Sequence, residues 1–283
     1  MKKVISLALF GDSTRKDGSG MNYHAYLPSY VLACNNLFES NEGWELHIHV
    51  DQQTLAGDYG AMLMKMNHAH LAHVVAMPAA ELTKAMLWRM KPVFQHGVGY
   101  VFCRDIDCIP MPRDRAICDT FIASGCVVST VHDSGSHTGI MGGLCGFDTK
   151  AFRESTKLYT LQDLYNVANQ SAANWARHGT DQTVLNRLID APGGPPLLEF
   201  RYNGWHAGPH KFAARNRGEY LTKSYSTVTP DVGKSRLTSA LQCEADLLAN
   251  HLGAAGFEID KARAFWDKHG DQRLAELVRE CER

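Results

Sequence analysis

Gly99-Tyr100-Val101-Phe102-Cys103-Arg104-Asp105-Ile106-Asp107 is the stretch on which the fold of this chain turns. Gly99 to Arg104 is a short, largely apolar run, which suits a strand buried on both faces. It leads straight into a D-x-D, and the chain has only one. Two carboxylates one residue apart, held in a turn, can approach a single hard cation, and oxygen donors favour Mn²⁺ or Mg²⁺. Open α/β sheets bind ligands at the carboxyl ends of their strands, where this pair falls. The plain alternative is a solvated turn that caps the next helix.

Outward from that strand, the first half alternates strand and helix. Val4 to Phe10 is an apolar run closed by Gly11-Asp12 and reads as the first strand. The opening Met1-Lys2-Lys3 resembles the start of a signal peptide, but no small-residue cleavage site follows the run, so the strand is the better reading. Helical spacing covers Tyr26 to Phe38, Ala61 to His70 and, interrupted near Pro92, Glu81 to Phe94. Glu45 to Val50, ending at Asp51, and Ala72 to Met77 are further strands. Alternation of this kind predicts an α/β fold, a mostly parallel sheet with helices on both faces.

The second half changes character. Val127 to Val131 reads as a strand, and His132 to Gly146 as more loop than element, being rich in Gly, Ser and His. Helices are expected at Leu161 to His178 and Asp181 to Ile189. Ala191 to Gly218 carries Pro, Gly, aromatics and His and reads as a functional loop region. Thr222 to Lys234 reads as a linker or loop, and Ser235 to Arg283 as two helices. The division is therefore a main domain over 1–218 and a C-terminal helical extension over 219–283.

Composition excludes several classes. The chain has 283 residues, 45% of them apolar and 21% charged, which is ordinary globular usage and argues against disorder or a coiled coil. Lys+Arg number 29 against 30 Asp+Glu, so a broad electrostatic grip on nucleic acid is not expected. No apolar run approaches the roughly 20 residues of a membrane span. Eight cysteines without a C-x-x-C pair read as reduced thiols in a cytoplasmic protein. Gly-x-Ser-x-Gly and a P-loop are both absent.

Two later segments carry chemistry. In Trp205-His206-Ala207-Gly208-Pro209-His210-Lys211, a neutral imidazole can complete a metal shell begun by carboxylates. Gly208 would admit a phosphate close to the backbone, and Lys211 would supply a point charge. The alternative is a surface loop. In Gly179-Thr180-Asp181-Gln182-Thr183-Val184-Leu185-Asn186, Asp181 either caps the helix that follows or, with Gln182, meets a sugar. His47-x-His49, with His68, His70 and His73 nearby, reads as structural, since no converging Cys or carboxylate is evident. Cys103 and Cys108 read as packing groups.

A strand-end D-x-D, a later D-Q-x-x-L-N and a later H-x-G-x-x-K, in that order, resemble nucleotide-sugar glycosyltransferases of the GT-A (Rossmann-like) fold. The retaining glycogenin and lipopolysaccharide galactosyltransferase family is the nearest resemblance, over about residues 1–212. That resemblance implies a mixed, mostly parallel sheet flanked by helices. It implies Mn²⁺ (or Mg²⁺) held by Asp105, Asp107 and His206, donor phosphates at Gly208 and Lys211, and Gln182 near the anomeric carbon. Here His206 and Gly208 stand one residue closer than in the family, Phe212 replaces a Pro, and Thr183 replaces the second Asp of D-Q-D. Ser6 to Asp12, and His132-Asp133 through Gly142-Gly143, look more like lesser-studied bacterial and viral relatives of that fold.

The expected chemistry is sugar transfer from a nucleotide-diphosphate sugar, UDP-sugar preferred, to a glycan or other hydroxyl acceptor. Arg89 would share in stabilising the leaving diphosphate. Asp181 or Asp133 would hold sugar hydroxyls or act as base, and Gly142-Gly143 would let the backbone approach the sugar. Phe10, Gly11, Asp12 and Asp51, at strand ends, are the candidates for base and ribose. Surface charges or caps are the alternative for Arg89, Asp51 and Asp133. A modified DNA base as acceptor is conceivable but disfavoured. Rival readings are a sugar nucleotidyltransferase and a non-catalytic nucleotide-sugar or glycan-binding module.

Overall fold

The computed structural model describes residues 1–11, 23–57, 59–106, 108, 110, 112–132, 139–170, 174–175, 177 and 179–201. The first half runs β1 (Lys2–Leu9), a 3₁₀ turn (Tyr23–Tyr26), α1 (Leu27–Leu37), a second 3₁₀ turn (Ser40–Glu42) and β2 (Trp44–Asp51). It continues with α2 (Gln52–Ala56), α3 (Gly60–His68), β3 (His73–Met77), α4 (Leu82–Met86), the 3₁₀ segment Leu87–Phe94 and β4 (Val98–Arg104). The second half adds α5 (Pro112–Ser124), β5 (Val128–His132), β6 (Leu144–Asp148), α6 (Thr149–Thr156), α7 (Leu161–Gln170), α8 (Thr180–Asp190) and β7 (Leu197–Arg201).

Among the described residues, seven strands form one sheet in the order β3-β2-β1-β4-β6-β5-β7. β1 lies parallel to both β2 and β4, β2 to β3, and β5 to β7. β6 alone runs antiparallel, between β4 and β5. The architecture is thus the mostly parallel sheet with flanking helices that the alternation of elements predicts, and β6 makes it mixed, as the resemblance implies. Residues 202–283, the 218/219 boundary and the two C-terminal helices expected there lie outside the described residues. No helix among the described residues is long and apolar enough to cross a membrane.

Period-two alternation sorts the sheet's side chains onto two faces. Ile5, Leu7, Ile48, Phe102 and Val131 join one core with α1 and α5. Val4, Val101, Cys103, Cys145 and Phe147 join the other with the 3₁₀ segment, α6, α7 and α8. Trp44 anchors the first core, 1% exposed, with its ring 4.7 Å from Phe38 and 5.7 Å from Phe102. At the far edge β3 is half exposed, as an edge strand covered on one side must be.

The structure corrects four sequence expectations. The stretch His132 to Gly146 is not merely loop, because β6 begins inside it at Leu144. Its Gly146 misleads a composition-based reading. It pairs with Phe102, and a Cβ there would lie 2.6 Å from Ser129 Oγ and 2.8 Å from the Phe102 ring. Glycine therefore makes room for a core aromatic and does not mark a turn. Likewise, Ala191 to Gly218 contains β7, paired along β5. The helix expected to reach His178 is seen over Leu161–Gln170, and Asn174, Trp175 and Arg177 are not helical. The helix over Glu81 to Phe94 is α-helical only to Met86 and then tightens to 3₁₀ through Pro92.

His47 and His49 sit in β2 and bear out the structural reading. The His47 Nε2–H donates to Glu45 at 2.9 Å, and His49 Nδ1–H donates to the Leu7 carbonyl at 3.1 Å. Burial lowers the pKa of both, and pushes His49 down to about 3. Glu45 is the carboxylate absent from the sequence reading. Even so, no three His, Cys, Asp or Glu among the described residues form a group able to hold a metal.

Two expectations follow. Phe102→Ala should cost about 3–5 kcal/mol in urea unfolding, since the ring is fully buried against Trp44 and Phe121. An unchanged midpoint would contradict this packing. His49 binds a proton below about pH 6.5 when unfolded but only near pH 3 when folded. Its contribution to stability is therefore whole above 6.5 and declines by about 1.4 kcal/mol per pH unit below it. Urea midpoints between pH 7 and pH 5 should fall less steeply in His49→Gln than in the parent.

Candidate functional site

The site is assembled at the carboxyl ends of β1, β2 and β4. β4 delivers Asp105 one residue past its end. β6, being antiparallel, starts where β4 stops: Leu144 pairs with Arg104. That register sets Gly143 beside Asp105 although 38 residues separate them in the chain. A Cβ on Gly143 would run into the Asp105 carboxylate. A Cβ on Gly142 would run into Asp181 Oδ2 and come within 2.8 Å of Arg89 Nη2. At both glycines the backbone thus comes close to charged side chains, and a Cβ would displace them.

Arg89 links these parts. It comes from the 3₁₀ segment Leu87–Phe94 and is 4% exposed. Its Nη1 donates to Asp105 Oδ1, and its Nη2 donates to Asp181 Oδ2 at 2.7 Å. Burial opposes the charged guanidinium, but the two carboxylates outweigh it and hold its pKa above the ordinary arginine value. The partners differ in setting. The Asp105 side chain is 45% exposed, at the mouth of the site. That of Asp181 is 2% exposed, and its Oδ1 has no hydrogen-bond partner among the described residues. A buried, unpaired carboxylate oxygen is costly and calls for a donor.

Asp181 is not the N-cap that the sequence allowed. Gly179, at φ 83, occupies that position, and Asp181 lies inside the first turn of α8. Its negative charge there is favourable toward the helix dipole. Gln182 follows it, half-buried.

Asp51 does act as a cap. Its Oδ1 accepts from Thr54 N–H at 2.7 Å at the start of α2, and its Oδ2 accepts from Gly11 N–H at 2.8 Å. The carboxylate thereby ties the end of β1 to the end of β2. Phe10, beside it, packs edge-on against Trp88 at 5.9 Å. Of the sequence candidates, then, the structure brings Arg89, Asp105, Gly142, Gly143 and Asp181 into one cluster, and Phe10, Gly11 and Asp51 onto the adjacent strand ends. Asp12, Asp107, Asp133, His206, Gly208 and Lys211 lie outside the described residues.

Arg104 is a further contributor that sequence reasoning passed over. Its Nη2 donates to Asp114 Oδ1 at 2.6 Å, and its Nη1 donates to the carbonyls of Cys103 and Cys145 at 2.9 and 3.1 Å. The pair is buried and pins α5 and β6 to the last residue of β4. The signal was present: a charged residue closing a buried strand needs an acid to meet it. Cys103 and Cys108 are both buried, as a packing role requires. A separate cleft of ≈ 570 Å³ lies at the opposite, amino-terminal edge of the sheet, lined by Lys2, Trp44, Glu45, His47, His73 and His96 among others. It shares no residue with the Arg89 cluster.

No family model and no curated protein matches the sequence. Solved structures with a similar chain path include the glycosyltransferase GlyE of Streptococcus pneumoniae, at 13% identity and TM-score 0.43. That match covers 70% of this chain and 45% of the other, so the chain spans less than half the length of GlyE. A Desulfovibrio desulfuricans chain assigned as a nucleotide-diphospho-sugar transferase matches at 15% identity and TM-score 0.44, covering 71% and 80%. The 4-diphosphocytidyl-2C-methyl-D-erythritol synthase of Anaerococcus prevotii matches at 8% and TM-score 0.42, covering 71% and 89%.

Removing the central cation should be more damaging than removing either acid's neighbourly contacts. Arg89→Ala leaves Asp181 buried without a counter-charge, and a loss of about 3–5 kcal/mol is expected in urea unfolding. Adding Asp181→Asn to Arg89→Ala should recover part of that loss. Equal stability of the single and double variants would show that the ion pair is not what Arg89 contributes.

Proposed function

We propose that this protein is a metal-dependent glycosyltransferase of the GT-A fold, moving a sugar from a UDP-sugar donor to a hydroxyl acceptor with retention at the anomeric carbon. One observation carries the reading. A buried carboxylate with an oxygen unpartnered among the described residues, a strand-end carboxylate and two glycines whose backbone comes close to them meet at the carboxyl-end edge of an α/β sheet, where such sheets bind ligands.

The fit of a divalent cation is judged at Asp105. Its carboxylate is a hard oxygen donor, partly exposed, with Oδ1 engaged by Arg89 and Oδ2 toward Gly143. That chemistry suits Mn²⁺ (or Mg²⁺). Asp105 would hold the ion together with Asp107 and His206. Bound there, the ion would neutralise charge on the departing diphosphate.

The chain's own residues supply the rest. Arg89 orients Asp105 and Asp181 by giving each one N–H. Asp181 Oδ1 accepts a hydrogen bond from a donor sugar hydroxyl. Gly142 and Gly143 bring backbone against the sugar where any Cβ would collide with the carboxylates. Gln182, next on the helix, offers its side-chain carbonyl oxygen to the electron-poor anomeric carbon as the bond to the leaving group breaks. Gly208 and Lys211 receive the phosphates. Asp51, Phe10, Gly11 and Asp12, at the ends of β1 and β2, are assigned to the base and ribose.

The test is nucleotide release. Purified protein with Mn²⁺ is offered a panel of nucleotide sugars, with and without EDTA. UDP release from one donor is expected, abolished by EDTA and by Asp107→Ala, and reduced on the order of 10²-fold in Asp181→Asn. Pyrophosphate release from a nucleoside triphosphate and a sugar phosphate would instead reveal a nucleotidyltransferase. No release and no thermal shift with any nucleoside diphosphate would overturn the donor site.

A further inference from the structure

We propose that Asn186 is a positioning residue of this site, latching α8 to the backbone of residues 139–141 and so holding Gly142 and Gly143 against Asp181 and Asp105. The inference rests on the donor-site reading above and names what sets that site's shape. Asn186 lies one helical turn beyond Gln182 and five residues beyond Asp181. Its Oδ1 accepts from Ile140 N–H at 2.8 Å. Its Nδ2 donates to the Gln182 carbonyl at 2.8 Å and, more weakly, toward the Ile140 carbonyl at 3.4 Å. One carboxamide thus addresses both polar groups of one residue's backbone, as a neighbouring strand would.

The loop side is shaped to receive it. Gly139 has φ 62, and a Cβ there would collide with Asn186 Oδ1 and lie 2.8 Å from its Cγ. Ile140 is fully buried and shares a core with Val184 and Leu185 of the same helix. From the sheet, Thr130 Oγ1 accepts from Met141 N–H at 3.0 Å, and His132 Nε2–H donates to the Gly139 carbonyl at 2.6 Å. Residues 139–141 are therefore held between α8 and β5. The chain then turns, with Leu144 N–H donating to Met141 at 2.8 Å, and the two glycines form that turn.

The consequence is geometric coupling. The helix that supplies the Asp181 carboxylate also fixes, two residues away from Gly142, the loop that closes over it. The side chain must both donate and accept. Asp at 186 would set oxygens against the Ile140 and Gln182 carbonyls, and Leu would leave the buried Ile140 N–H unpaired. A shift of the loop tip by about 1 Å is enough to cost on the order of 10²-fold in a reaction that depends on donor placement.

The experiment compares the full chain with Asn186→Leu and, from the loop side, Gly139→Ala. Two readouts are taken: donor kinetics under the conditions above, and peptide-level hydrogen exchange over 139–143. The expected result is a fall in kcat on the order of 10²-fold, with donor KM within about threefold. Faster exchange over 139–143 should accompany it, with exchange in β1 and β4 unchanged. Parent-like kcat in both variants overturns the inference, as does unchanged exchange over 139–143. If Asn186→Leu fails to fold, Gly139→Ala decides alone by the same two readouts. If the parent itself turns over no donor, the donor-site reading falls, and exchange alone decides whether Asn186 holds the loop.

Discussion

The buried guanidinium of Arg89 is the constraint on which the rest of the site depends. A charge taken out of water must be met on more than one side, and Arg89 is met by two carboxylates from distant parts of the chain. Asp105 comes from the end of β4, and Asp181 from the first turn of α8. The 3₁₀ segment that carries Arg89 packs on β4 and belongs to the same core cluster as β4 and α8. Tightening to 3₁₀ geometry therefore coincides with the point where the backbone must present this cation to both acids.

A second buried pair does the same for the sheet. Arg104 and Asp114 join β4 to α5, while the same guanidinium hydrogen-bonds the Cys145 carbonyl on β6. The end of β4 is thus fixed on both flanks immediately before Asp105. The antiparallel strand, the only one among the described residues, then has a geometric consequence. Because β6 enters the sheet where β4 leaves it, its preceding glycines arrive beside Asp105, whereas a parallel strand would have brought its carboxyl end there.

The local elements of the first half were legible because their signals are local. Val4–Phe10 and Gly99–Arg104 are largely apolar runs, Glu45–Val50 alternates, and these and Ala72–Met77 each became a strand within a residue or two. The members of the Arg89 cluster, Asp105, Asp181, Arg89, Gly142 and Gly143, were also legible, as residue types in suggestive places. β6 and β7 were not. Gly146 in β6 serves Phe102, a residue 44 positions earlier, and β7 is a short edge strand set in a Pro- and Gly-rich stretch. Nothing local distinguishes such glycines from those of a loop.

By itself, the sequence determined the α/β class, the strand that leads into Asp105, and the lack of any long apolar run, since these follow from periodicity and composition within short windows. Only the tertiary structure decided that Asp181 pairs with Arg89 and does not cap its helix, that Asp51 does cap one, and that Gly142 and Gly143 stand against the two acids. Those facts depend on strand order and antiparallel register. Register is set by which faces bury together across the sheet, and that is a property of distant segments in contact, which no single window of residues contains.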